Sequence, residues 1–152
     1  MSPMTRVTSG SGSRALVYDA KQDIVSILDG MRLSSPIVLL NPFDARSFAW
    51  DMAKDVTTPA TAFQVASILI PEEQGANRFF SDAARHLVTG VLCVFLRSGV
   101  HWTLRDLIWA TRGRERIKSI LADSPDAQHL VGDYFQDERL ASNILSTIAA
   151  RL

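Results

Sequence analysis

The densest group of basic side chains in the sequence is formed by Arg112, Arg114 and Arg116, which occupy alternate positions. The surrounding sequence places them near the start of a helix, where the helix dipole disfavours additional positive charge. An anionic partner such as DNA phosphate would explain that placement. The alternative is a solvated face, and the sequence leaves both interpretations open. Three carboxylates are near enough in sequence to balance such a face in part: Glu115, Asp106 and Asp123.

A second candidate is Asp19, which ends the apolar segment Leu16–Tyr18. A buried strand that ends in an aspartate is typical of the second nucleotide motif of ATPases, where the carboxylate holds Mg²⁺. The glutamate that often follows that aspartate is replaced by Ala20. Asp19 is therefore a candidate residue of a nucleotide-binding site, but the catalytic glutamate that would follow it is absent.

Other chemistry finds little support in the sequence. The histidines His86, His101 and His129 lack the paired spacing of zinc ligands. Cys93 is the single cysteine, which excludes an internal disulfide and suits a small core residue. The glycine-rich stretch 8–13 lacks the lysine of a phosphate-binding loop, so we expect a flexible tail over residues 1–14.

The bulk composition is that of an ordinary globular protein. The chain has 152 residues, 47% of them hydrophobic, and its sixteen basic and sixteen acidic residues cancel. A zero net charge gives no general attraction to nucleic acid or membrane, so binding to either would depend on a local patch. The longest apolar run, Leu87–Leu96, is half of the roughly 20 residues that a membrane span needs, so we expect no span.

The first third of the chain has an alternating pattern. Short apolar runs predict strands at about 15–19 and 37–41, and the spacing of Ile24, Val25, Ile27 and Leu28 predicts a helix between them that ends at Gly30. Strand, helix and strand at this spacing predict a parallel βαβ unit with Asp19 and Asn41 at the carboxyl ends. Two strands make a poor sheet alone, so this unit would need a partner.

The remainder predicts a bundle of about five to six helices, which makes the fold an α/β chain that is mostly α. Threonine caps are expected at Thr58 and Thr103, and further caps at Asn77 and Ser124. The longest helix, about 78–97, is apolar over more than half of its circumference and should lie at the centre of the bundle. Gly90 within it would be tolerated where a neighbouring helix approaches closely.

Taken in order, these segments resemble one family, the conjugative type IV coupling proteins of the TraD/TraG-like group. The most specific match is L-L-N-P-F-D-A-R-S-F-A-W-D at Leu39–Asp51. The resemblance covers about residues 14–152. The other matching segments are V-Y-D at Val17–Asp19, A-x-x-L-I-P at Ala66–Pro71, F-F-x-D-A-A-R at Phe79–Arg85 and T-L-R-D-L at Thr103–Leu107.

The resemblance implies a RecA-like nucleotide-binding domain that carries an inserted all-α domain. Residues 15–54 would be part of the RecA-like domain, and residues 55–152 most of the all-α domain. The family's phosphate-binding loop would lie before the V-Y-D segment and its second nucleotide motif after Leu152, so the chain resembles a fragment. Full-length relatives use ATP and magnesium. We expect no cofactor and no ATPase activity for this chain alone, because it has no cradle for the phosphates of ATP.

In function, the resemblance implies a piece of a DNA-translocating motor that recruits a relaxase–DNA complex to a secretion channel. Full-length relatives act at the cytoplasmic face of the bacterial inner membrane. The implied partners are the rest of the motor domain or other subunits of a homo-oligomer, the relaxase–DNA complex or an accessory protein, and single- or double-stranded DNA. Two alternatives stay open, which are a stand-alone helical module that docks relaxase, accessory protein or DNA, and a degenerate remnant.

Overall fold

A computed structural model describes residues 15–21, 23–31, 33–41 and 43–152. They form two compact units, of which the first ends at Ala49 and the second begins at Trp50. Helix α2 (Met52–Asp55) lies within the second unit, and the boundary between domains at 54/55 stays a prediction. The flexible tail predicted for residues 1–14 lies outside the described residues.

The predicted βαβ unit is wrong. Helix α1 (Ile24–Gly30) forms and ends at its glycine as expected, but the described residues contain no strand at 15–19, at 37–41 or elsewhere. No backbone hydrogen bond joins the two segments in the described part of the chain. Their apolar side chains also remain largely exposed, Leu16 at 92% and Leu40 at 64%. Extended backbone becomes a strand only when it has a ladder partner, and an apolar run does not specify one.

Polar side chains close the turn that follows residue 39. The Phe48 amide donates to the Leu39 carbonyl at 2.9 Å. The Ser47 hydroxyl donates to the same carbonyl at 3.0 Å and accepts from the Asn41 amide at 2.7 Å. Asn41 Oδ1 in turn accepts from the Phe43 amide at 3.0 Å, which is an Asx turn. The polar residues thus hold the turn, while Phe43 is 92% exposed.

The second unit is entirely helical and agrees with the predicted bundle. Helix α4 (Arg78–Ser98) lies at its centre and contacts the other five helices that follow α2. A single 3₁₀ turn, Gly75–Asn77, leads into it. The five surrounding helices are α3 (Pro59–Leu69), α5 (Leu104–Thr111), α6 (Arg114–Ala122), α7 (His129–Tyr134) and α8 (Glu138–Ala149).

Helix starts in this unit are fixed by capping side chains. Thr58 and Thr103 each accept from the amide three residues later, and the side chain at that later position returns the bond, so both capping boxes form. Asp137 accepts from the Leu140 amide at 2.9 Å and begins α8. Asn77 occupies the N-cap position of α4 as predicted, but its side chain makes no capping bond. The cap predicted at Ser124 is wrong, because Ser124 is buried in a turn five residues before His129, where α7 begins.

Gly90 has the close neighbours that the sequence required. A Cβ at this position would lie 2.7 Å from Leu130 Cδ1 and 2.8 Å from Leu121 Cδ2. Glycine therefore lets α6 and α7 approach the centre of α4, and the packing gained offsets its poor helix propensity.

The span Gly75–Ser98 is the one helical segment in the described residues that is long and apolar enough to cross a membrane. In this structure it is the central helix of the second unit. Leu87, Val88, Val91 and Leu92 are fully buried against its neighbours. Length and composition are shared by core helices and membrane spans, and the packing here is that of a core helix.

Candidate nucleic-acid interface

The arginine cluster lies at the tight turn between α5 and α6. Arg112 is the C-cap of α5, and Gly113 is the N-cap of α6 with a φ of 98°, which residues with a Cβ rarely adopt. The end of α5 brings negative partial charge to this turn and the start of α6 brings positive partial charge. The two helix dipoles therefore largely offset each other at this turn. The repulsion between the arginines and the start of α6 is smaller than the sequence predicts.

Arg114 is committed to contacts within the fold. Its Nη1 donates to Glu138 Oε1 at 3.0 Å and its Nη2 to the Phe135 carbonyl at 3.1 Å. The side chain is 31% exposed, and its Nε is buried with no hydrogen-bond partner among the described residues. Arg114 thus ties the start of α6 to the start of α8 and to the segment before it.

Arg116 reaches in the opposite direction, to the outer face of α5. Its Nη1 donates to the Trp109 carbonyl at 2.9 Å, and its guanidinium carbon lies 5.2 Å from the centre of the Trp109 ring. The carbonyl is one of the last in α5, where a cation is favourable. The ring contact is a cation–π interaction and holds the guanidinium against an exposed aromatic face.

Trp109, which was not predicted from the sequence, is the centre of this surface. Its side chain is 55% exposed, although tryptophan is usually well buried. Leu107 and Ala110 are the α5 residues that enter the core, and Trp109 is about 200° around the helix from Leu107. The same helix geometry therefore buries those two side chains and turns the indole outward.

Two more arginines flank the indole along the helix. Arg105 lies one turn before Trp109 and Arg112 one turn after it, at spacings that share a helix face. Both are exposed, and neither makes a side-chain hydrogen bond or ion pair with the part of the chain that the structure describes. We call Arg105, Trp109, Arg112 and Arg116 the arginine–tryptophan patch.

The neighbouring carboxylates are engaged elsewhere. Asp106 Oδ2 accepts from the Thr103 amide at 2.8 Å and from the Thr103 hydroxyl at 2.7 Å. These bonds, with smaller contributions from nearby cations, lower the pKa of the Asp106 carboxyl below its usual value. Glu115 contacts Lys118 at 3.5 Å. Neither carboxylate forms an ion pair with an arginine of the patch among the described residues, although the charge of Asp106 does interact with Arg105.

A groove of about 490 Å³ adjoins the patch between the α5–α6 turn and α8. Arg112 and Arg114 contribute to one wall, and Ser142 and Ser146 to another. Glu138, which is ion-paired with Arg114, and several apolar side chains also line this groove. Arg112 borders the open patch and the groove together.

Asp19 has a local structural contact in the first unit. Its Oδ2 accepts from the Ile24 amide at 3.0 Å, at the start of α1. Its Oδ1 is buried and has no hydrogen-bond partner among the described residues. A carboxylate at a helix N-terminus is favourable in itself. A contact between Asp19 and nucleotide stays a prediction.

Two further carboxylates have lowered pKa values because of local contacts. The hydrogen bonds from the Arg46 side chain and backbone lower the pKa of Asp44 to about 2. A hydrogen bond from Lys54, assisted by His101, lowers the pKa of Asp51. Each is explained by its neighbours alone.

The remaining candidates for metal or nucleophile chemistry are dispersed. His86 Nδ1 lies 2.9 Å from the Tyr134 hydroxyl, and His101 Nε2 lies 3.1 Å from Asp51 Oδ1. Within the described ranges no cluster of three or more histidine, cysteine or acidic side chains could hold a metal ion. Cys93 is half-buried at the edge of the core, and burial raises the pKa of its thiol, which disfavours the reactive thiolate.

A helical unit with an arginine patch around an exposed aromatic has the features of a nucleic-acid-binding module. A family model described as the type IV secretion-system coupling protein DNA-binding domain matches residues 1–152. The chain belongs to this family of coupling proteins, which are associated with the secretion apparatus at the inner membrane. No curated protein and no solved structure matches the chain.

Proposed function

We propose that this chain holds DNA phosphates through Arg105, Arg112 and Arg116, as part of a coupling protein that brings a relaxase–DNA complex to a conjugative secretion channel. Membership of the coupling-protein DNA-binding family supports DNA as the ligand. In this proposal the chain acts at the cytoplasmic face of the membrane. ATP hydrolysis belongs to the RecA-like parts of a coupling protein that carry a phosphate-binding loop.

The observation that carries the proposal is that Arg105 and Arg112 flank Trp109 along α5, while Arg116 contacts the Trp109 ring. Because the charges of the whole chain sum to zero, attraction to DNA must come from a local concentration of cations. Phosphate contacts of arginine release counterions from the nucleic acid and supply most of the sequence-independent affinity. In this proposal the three arginines contact phosphates, and phosphate contacts position DNA without reading its sequence.

Arg114 has a different role in this proposal, although the sequence groups it with its neighbours. Its guanidinium already bonds Glu138 and the Phe135 carbonyl. It therefore fixes the position of the α5–α6 turn, from which Arg112 and Arg116 extend. DNA affinity should depend on Arg114 only through this positioning.

The test is the binding of a fluorescently labelled oligonucleotide, measured by anisotropy. The variant Arg105→Gln/Arg112→Gln/Arg116→Gln removes the three charges of the patch. With a salt exponent of about 0.7 per phosphate contact on a single strand, losing three contacts should weaken binding about 100-fold at 0.1 M salt.

A matched control removes three arginines outside the patch. Arg78, Arg97 and Arg151 are ion-paired with Glu72, Asp126 and Glu73 respectively. Their triple replacement by glutamine changes the net charge equally and should leave affinity within about threefold, because these cations are already partnered. Equal weakening by both triple variants, with both proteins folded, would contradict the proposal.

A further inference from the structure

The arginine–tryptophan patch contains the indole of Trp109, which a surface that binds only phosphates does not need. Arginine or lysine suffices to neutralise phosphate. An indole that is 55% exposed presents a large apolar surface to water and contributes little to the core beside it. A ligand with a flat aromatic surface would bury that ring and match its shape.

We propose that Trp109 is a stacking platform for one base of single-stranded DNA, with Arg105 and Arg112 holding the phosphates on either side. This inference rests on the proposed function and specifies the form of DNA that the patch prefers. Aromatic side chains bind single strands without regard to sequence because every base has a flat π face.

The spacing along α5 supports this arrangement. Arg105 and Arg112 are seven residues apart, which is about 10 Å along a helix, and Trp109 lies between them. Arginine side chains are long and flexible, so the two guanidinium groups can reach phosphates on either side of the indole. A base between those phosphates would then lie over the indole.

Arg116 adds rigidity to the platform. It bonds the Trp109 carbonyl at 2.9 Å and lies 5.2 Å from the ring centre, so it contacts both the backbone and the side chain of the same residue. A ring whose position is already restricted loses less conformational entropy when a base stacks on it.

Single strands should be preferred over duplex for a geometric reason. In a duplex each base face is covered by its neighbours, so stacking on Trp109 would require unstacking or extruding a base. In a single strand the face is accessible at little cost. Duplex DNA would therefore meet only the arginines of the patch.

The experiment compares Trp109→Ala and Trp109→Phe on a single-stranded oligonucleotide and on a hairpin-free duplex of the same sequence. Trp109→Ala should weaken single-strand binding about 5- to 150-fold and leave duplex binding within about twofold, while Trp109→Phe should restore much of the loss. Phe63→Ala, which removes an aromatic that is 46% exposed on α3, is the control and should change neither affinity.

Intrinsic fluorescence gives a second readout that reports stacking itself. The chain has three tryptophans, of which Trp102 is buried and Trp50 is 51% exposed. Single-stranded DNA should quench the emission of the wild type and of Trp50→Phe, and quenching should be largely lost in Trp109→Phe. Quenching that persists in Trp109→Phe, or equal losses on single strand and duplex, would overturn the stacking platform.

The outcomes separate this inference from the function on which it rests. Binding of both DNA forms with no dependence on Trp109 overturns the platform and leaves DNA binding by the arginines intact. Absence of binding to either form by the wild-type chain overturns the proposed function as well.

Discussion

Arg112 and Arg114 are two positions apart in the sequence, but their replacement by alanine should affect different properties. Arg114→Ala should lower folding stability, and Arg112→Ala should weaken DNA binding. Arg114→Ala removes one bond to the Phe135 carbonyl and one to Glu138. A hydrogen bond from a charged donor contributes about 1.5 kcal/mol. The ion pair adds at most about 0.5 kcal/mol, because Glu138 is 88% exposed and its charge is screened by solvent. The expected loss of folding free energy is therefore about 2 kcal/mol.

Thermal unfolding followed by circular dichroism at 222 nm measures this loss. For a helical unit of about 100 residues, 2 kcal/mol corresponds to a fall in Tm of roughly 10 °C. Arg112→Ala should lower Tm by less than about 2 °C, because Arg112 has no side-chain partner in the described part of the chain. Arg114→Lys should recover only part of the stability, since lysine lacks the fork that spans both acceptors.

At a temperature where all variants are folded, DNA affinity should depend more on Arg112 than on Arg114, which is the reverse of the order for stability. Arg112→Ala should weaken single-strand binding about fivefold at 0.1 M salt, whereas Arg114→Ala should change it less than twofold. A Tm unchanged by Arg114→Ala, or a DNA affinity that falls equally in both variants, would refute the separation of the two roles.

Two further predictions concern packing and capping. Gly90→Ala should lower the free energy of unfolding by up to about 2 kcal/mol, because the new methyl group meets Leu130 and Leu121. Leu130→Ala should be less destabilising in the Gly90→Ala background than in the wild type. Urea unfolding of the four proteins in this double-mutant cycle measures the difference, and strictly additive effects would argue against the contact. The lowered pKa of Asp106 means that the folded state resists protonation, so stability from the capping box is present above about pH 4 and is lost as pH falls through the folded pKa. Asp106→Asn should flatten the loss of stability below about pH 4 in urea titrations, and an unchanged slope would exclude Asp106 as its source.

Most of the helical unit could be predicted because its signals are local. The capping boxes at Thr58 and Thr103 depend on residues within one turn, and the apolar circumference of α4 identifies it as the central helix. The cap at Ser124 failed because a serine before a proline also begins a turn. Here its carbonyl accepts from the amides of Ala127 and Gln128, and the helix starts later.

The predicted strands failed because pairing is not a local property. Residues 15–19 and 37–41 have the composition of buried strands, but no ladder forms between them in the described chain. Their composition specifies an apolar segment and leaves its partner unspecified.

The proposed DNA-binding surface includes only part of the predicted arginine cluster, because residues that are close in sequence need not share a surface. Arg112, Arg114 and Arg116 alternate in the sequence but diverge around the start of α6, toward α8 in one case and toward α5 in another. Arg105 and Trp109 were not predicted as part of this surface. Their spacing is nevertheless visible in the sequence, because Arg105 lies four residues before Trp109 and Arg112 lies three residues after it. A scan for cations one turn from an aromatic would have found them.

The dependence of single-strand affinity on salt concentration tests the central claim most directly. A plot of log affinity against log salt for the wild type should be linear, and the triple glutamine variant of Arg105, Arg112 and Arg116 should have a slope shallower by about 2. The control triple variant of Arg78, Arg97 and Arg151 should keep the wild-type slope. Equal slopes for the wild type and the patch variant would contradict the assignment of this face as the DNA-binding surface.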